Sequence, residues 1–124
     1  MGTFSYPIEI GDPGGGRFEK IDALVDTGAS YTIGPAEVLA RLGVAPYQRR
    51  DFRLADGRVV DLDLGQTWAR VDGLTVITLV VFGAEGMGPV VGAYTLEGLG
   101  LAVDPASRQL FPRPALLMGT APAT

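Results

Sequence analysis

An apolar run, Ala23-Leu24-Val25, passes without a spacer into Asp26-Thr27-Gly28-Ala29-Ser30. Little else in the chain restricts the fold as much. The run reads as the end of a buried strand, yet the carboxylate that follows needs water or hydrogen-bond donors around it. A tight turn at a strand end meets both demands. Gly28 supplies unusual dihedrals and close backbone approach, and its N–H is free to bond the carboxylate. Thr27 offers a short hydroxyl, and Ala29 leaves room for a second copy of the segment. A bare Asp-Thr-Gly arises by chance in about one chain of forty this long, and Asp with Gly also ends strands in ordinary turns. The turn therefore needs support from elsewhere in the chain.

Composition narrows the possibilities. A chain of 124 residues with 47% apolar content suits one compact domain. The net charge of −4, with Arg49-Arg50 as the only adjacent basic pair, argues against a nucleic-acid partner. With no His and no Cys, thiol catalysis, Ser-His triads and zinc sites of the usual ligand types are excluded. No charged-then-apolar segment opens the chain as a signal peptide would, and Tyr6 stands where a myristoylation pattern needs Ser or Thr. The longest apolar run, Val76 to Phe82, is far short of a membrane span. A soluble cytoplasmic protein with no membrane partner is the expectation.

Support for the Asp26 turn comes from the far end of the chain. Pro89-Val90-Val91-Gly92 leads into Ala93-Tyr94-Thr95-Leu96-Glu97-Gly98-Leu99-Gly100 and then Leu101-Ala102-Val103-Asp104, which reads as strand, glycine, short helix, strand. Together the two segments resemble the retropepsins, single-domain aspartic proteases of retroviruses, retrotransposons and some cellular and bacterial relatives. In that family an Asp-Thr/Ser-Gly turn and a hydrophobic-hydrophobic-Gly motif before a short helix build the active-site floor. The resemblance runs from about Phe4 to Phe111. One departure is that the family's second glycine is usually followed by a polar pair near the dimer interface, whereas Ala93 and Tyr94 stand here. Tyr94 offers one hydroxyl in its place.

The resemblance implies an all-β, closed barrel-like fold with one or two short helices and a flap hairpin, spanning 1–111, followed by a Pro-rich tail at 112–124. It implies two carboxylates sharing one proton across a water, since like charges about 3 Å apart cannot both ionise. The chain holds no second Asp-Thr/Ser-Gly and is too short for two lobes, so the partner aspartate must come from a second copy, on the two-fold axis of a homodimer. Asp26, Thr27 and Gly28 are then the catalytic turn, and Ala29 and Ser30 lie beside bound peptide. Val90 and Val91 line the floor, implying apolar substrate side chains, and Gly92 is a structural motif residue. No metal or organic cofactor is required.

Along the chain, Phe4 to Ile10 and Arg17 to Val25 read as a hairpin around Gly11-Asp12-Pro13-Gly14-Gly15-Gly16. Pro35 to Leu42 has helix spacing, with Pro35 suited to the first helical position and Gly43 to the stop, and the helix is expected to be peripheral. Asp56-Gly57 between Phe52-Arg53-Leu54 and Val59 to Leu64 is a strong hairpin signal. By the resemblance it is the flap, with Ala55, Asp56 and Gly57 over the substrate, Gly57 letting the tip bend and Asp56 offering a carboxylate to basic side chains. Trp68 is assigned to the core in preference to a ligand platform. Leu74 to Phe82 reads as a fully buried strand, and Val103 to Phe111 as a last hairpin and the first candidate for dimer contacts. The tail is either without packed structure or docks through Leu116-Leu117-Met118.

Two function classes follow: a homodimeric aspartic endopeptidase acting on peptide or protein substrates, or a catalytically silent module that keeps the fold for dimerisation or peptide binding. A phosphate-accepting aspartate is disfavoured, because the lysine and metal-binding carboxylates that such chemistry requires are missing.

Overall fold

Alternation of apolar and polar residues shapes the first hairpin of the computed structural model, which describes residues 3–114, Leu117 and Gly119. In β1 (Phe4–Gly11) Phe4, Ile8 and Ile10 point inward, and in β2 (Phe18–Val25) Ala23 and Val25 do the same. The strands pair antiparallel from Phe4 opposite Val25 to Gly11 opposite Phe18. Asp12 closes the loop between them, its Oδ1 accepting the N–H groups of Gly16 and Arg17 at 2.7 and 2.9 Å.

Seven strands make one sheet in the order β1-β2-β7-β3-β6-β5-β4, and an added β1–β5 pairing bends it into a ring. Its other members are β3 (Thr32–Pro35), β4 (Gln48–Arg53), β5 (Val59–Val71), β6 (Leu74–Gly83) and β7 (Val90–Val91). The expectation of an all-β fold with two short helices holds. β4 lies outside the ring, paired only with β5, so the β4–β5 hairpin projects from it. Short helices α1 (Ala36–Arg41) and α2 (Ala93–Leu99) cover the ring, and β8 (Leu101–Asp104) with β9 (Gln109–Pro112) forms a separate two-stranded sheet.

The main core gathers Ile8, Ile10, Val25, Leu39, Val80, Val91 and Leu96 inside the ring, each burial contributing about 1.5–3 kcal/mol. A smaller core of Leu62, Leu64 and Val81 sits beneath the projecting hairpin, against Tyr31, Ile33, Phe52 and Met87.

Several expectations change. α1 is short but not peripheral, since Leu39 is fully buried; Pro35 is its N-cap residue, because the strand β3, unread in Tyr31-Thr32-Ile33, runs on through it. β6 is not buried throughout: Leu74 and Ile77 are half exposed, as the outer face of a sheet covered on one side. Trp68 lies partly buried on the outside of β5 beneath Gly15 rather than in the core. The last strand takes in Pro112, and the Arg113 N–H donates to the Gly100 carbonyl at 2.8 Å, so order continues into the expected tail. Most of the tail beyond Pro114, including Leu116 and Met118, lies outside the described residues.

Candidate active site

The turn bearing Asp26 is built by an insertion. β2 and β3, the two limbs of the loop, are not neighbours; the two-residue β7 lies between them, parallel to β2 at Leu24–Val90 and Val25–Val91 and antiparallel to β3 at Ile33–Val90. The Asp26 N–H donates to the Val91 carbonyl at 3.1 Å and the Ala29 N–H to the Asp26 carbonyl at 3.1 Å. The loop cannot shift without breaking the sheet.

Gly28 donates its N–H to Asp26 Oδ1 at 2.9 Å, which fixes the orientation of the half-buried carboxylate. Gly92 is required by space: a Cβ there would lie 2.5 Å from the Tyr31 carbonyl oxygen and 2.8 Å from that of Ser30.

The start of α2 is fixed without a polar side-chain pair. Ala93 and Tyr94 donate their N–H groups to the carbonyls of Ala29 and Ser30 at 2.7 and 3.1 Å. Beneath them Gly92 N–H donates to Thr32 Oγ1 at 3.1 Å, Thr32 shares a hydrogen bond with Thr95, and Thr95 Oγ1 lies 2.7 Å from Thr78 Oγ1. All three threonines are buried. Tyr94, expected to lend a hydroxyl, instead packs its ring edge-on against Tyr31 at 5.5 Å.

Two clefts flank the turn. The larger, about 820 Å³, has Val25, Asp26 and Thr27 on one wall and residues of α2 and β8, Leu96, Glu97 and Val103 among them, on the other. Glu97 is a second carboxylate on that cleft. The smaller, about 330 Å³, lies between Gly28–Tyr31 and Asp51–Leu54 of the hairpin, floored by Ile33, Leu62, Val81 and Met87. Its floor is apolar, and Ser30, Asp51 and Arg53 stand on its walls. Among the described residues no three carboxylates converge as a metal site would need.

The sequence-derived candidates fall into three groups. Asp26, Thr27, Gly28, Ala29 and Ser30 line the clefts. Val90 and Val91 line neither; Val91 is 1% exposed in the main core and serves the turn through its carbonyl. Ala55, Asp56 and Gly57 lie on the turn past the cleft-lining part of the hairpin. Gly57 has φ of 90°, a left-handed conformation suited to glycine. The carboxylate of Asp56 is committed to Arg58, accepting its N–H at 3.0 Å and its Nε at 2.8 Å; these bonds hold Asp56 below the usual carboxylate range. Sequence reasoning missed Tyr31, Phe52 and Met87 in the groove and the threonine network. The apolar character of the floor strands was the only available signal for them.

A family model described as aspartyl protease matches residues 7–101. No curated protein matches the chain.

Proposed function

The chain belongs to the aspartyl protease family, and from that premise we propose that it is a homodimeric endopeptidase using Asp26 from each of two copies. The observation that carries this reading is the placement of Asp26, its Oδ1 held by Gly28 N–H, on the open wall of the larger cleft of a chain with one such turn. A second copy brought to that wall supplies the second carboxylate. The two then share a proton: the ionised partner takes a proton from water as it attacks the scissile carbonyl, and the protonated one hydrogen-bonds the carbonyl oxygen. Proton transfer to the amide nitrogen releases the amine. Thr27 and Gly28 brace the pair, and backbone groups near Ala29, Ser30 and the hairpin hold the peptide extended. The smaller cleft accepts an apolar side chain.

The test is incubation of the purified protein and its Asp26→Asn variant with a diverse peptide library from pH 4 to 7, with cut sites read by mass spectrometry and the oligomeric state by light scattering. Cleavage abolished in Asp26→Asn, at least about 10³-fold for loss of a unit that acts as a pair, is the expected result. A confirmed dimer that binds peptide without cutting it would instead identify a silent module.

A further inference from the structure

Tyr31 is where three parts of the site meet. Its backbone belongs to the Asp26 loop, pressed against Gly92. Its ring meets Tyr94 of α2 edge-on, and on another side meets Phe52 of β4 at a centroid distance of 5.7 Å and 86°. Arg50, two residues from Phe52 and so on the same face of β4, holds its guanidinium 5.7 Å from the Tyr31 ring and 5.6 Å from the Phe52 ring. Its Nη1 donates to the Tyr31 hydroxyl at 3.4 Å. This cluster spans the smaller cleft from the catalytic turn to the hairpin.

Among the described residues, the backbone ladder ties β4 to the ring only through β5. β4 is an edge strand whose one partner, β5, belongs to the same hairpin. The main core does not include the hairpin's β4 or its turn. The side-chain contacts that reach from β4 to the Asp26 loop are those of Phe52 and Arg50 with Tyr31, above the small core. Tyr94, at the position that departs from the usual polar pair, adds a second edge-on ring contact to Tyr31.

We propose that Tyr31 is a positioning residue: its ring, backed by Tyr94 and clasped by Phe52 and Arg50, sets the standing distance of the β4–β5 hairpin over the Asp26 turn and hence the width of the peptide groove. The kinetic consequence rests on the protease reading above; the structural one does not. Losing one such ring contact shifts a docking equilibrium by about 2- to 12-fold.

The experiment is amide hydrogen exchange on the full chain and on Tyr31→Leu, Tyr31→Phe, Phe52→Leu and the Tyr31→Leu/Phe52→Leu double variant, with KM and kcat on any cleaved peptide. Exchange in segment 48–62 should rise about 2- to 12-fold in each leucine variant and no further in the double, while the β1–β2 hairpin keeps its protection. Tyr31→Phe, retaining the ring, should exchange as the parent does. KM should rise with kcat held within about 2-fold, as when docking and not chemistry is lost. Unchanged hairpin exchange in Tyr31→Leu, or fully multiplicative effects in the double variant, would each overturn the proposal. If Tyr31→Leu does not fold, Phe52→Leu decides alone. If no peptide is cut, exchange still decides the role of Tyr31, and Asp26→Asn separately judges the protease reading.

Discussion

Gly92 and Thr95 hold the Asp26 turn from below, and both are intolerant of small changes for different reasons. At Gly92 a methyl group would enter the backbone of Tyr31 at 2.5 Å, and backbone cannot swing away as a side chain does. Gly92→Ala is expected to cost about 1–3 kcal/mol, the range for overpacking, visible as a lower thermal midpoint and a loss of any cleavage activity. Thr95 bridges the hydroxyls of Thr32 and Thr78, so Thr95→Val removes both bonds, leaving Thr32 with the Gly92 N–H and Thr78 with a long bond to the Leu79 carbonyl, and should cost about 1–3 kcal/mol. Thr95→Ser, which keeps the bridge, should recover most of that in a denaturant titration. The glycine was legible as a motif residue, because short hydrophobic segments ending in Gly have a recognisable form. Its reason was not, since Tyr31 lies some sixty residues away, and the threonine network was invisible because three β-branched residues on separate strands and a helix look like ordinary sheet filling.

The β4–β5 hairpin shows what element-level reading does well and where it stops. Asp56-Gly57 between alternating runs demanded a turn, and the turn is there, with the Leu54 N–H donating to the Arg58 carbonyl at 2.7 Å. Gly57→Val forces a β-branched residue to φ of 90° and should destabilise the hairpin by about 1–2 kcal/mol, read as faster exchange at residues 54–58. The carboxylate of Asp56 is already paired with Arg58 on an exposed surface, where such pairs add little. Asp56→Asn should therefore leave the thermal midpoint almost unchanged and shift preference for basic substrate side chains little. The full length of β5 escaped sequence reading because Gly65 resembles a strand end. It is instead a strand position where a Cβ would lie 3.0 Å from the Phe82 ring and 3.3 Å from the Ala45 carbonyl oxygen, tight enough that a neighbour would have to give way. β3 escaped because four residues merging into a helix carry no alternation.

At the scale of the whole molecule, stability in acid follows from carboxylates held by hydrogen bonds. Asp12 is held below the ordinary carboxylate range by the N–H groups of Arg17 and Gly16, Glu19 by the Arg41 guanidinium, and Asp104 by the Ser107 hydroxyl and Ala106 N–H. Since the folded values lie below the unfolded ones, the unfolded chain binds more protons in acid. The contribution is complete above the unfolded values near about 4 and is lost as pH falls through the lowered folded ones. The thermal midpoint should be flat from about pH 5 upward and decline below about pH 4, shallowly because these groups are exposed; calorimetry across pH 2.5–7 checks this, and a midpoint rising toward pH 3 would contradict it. For an enzyme completed by a second copy, specific activity should climb with protein concentration below the dimer dissociation constant and level off above it.

The sequence by itself determined the Asp26 turn, the strand that delivers it, the hairpin turn and the exclusion of thiol and Ser-His chemistry. Each of these depends on residue types or on dihedral demands acting within a few neighbouring positions. Only the tertiary structure decided that β7 would wedge between the limbs of the Asp26 loop, that Leu39 would enter the core, that Val91 would support the turn by its carbonyl, and that Tyr31 would reach Phe52. Those outcomes depend on partners about twenty to sixty residues apart, brought together when the sheet bends until β1 meets β5, and no local preference of the chain records which distant backbone a side chain will then face.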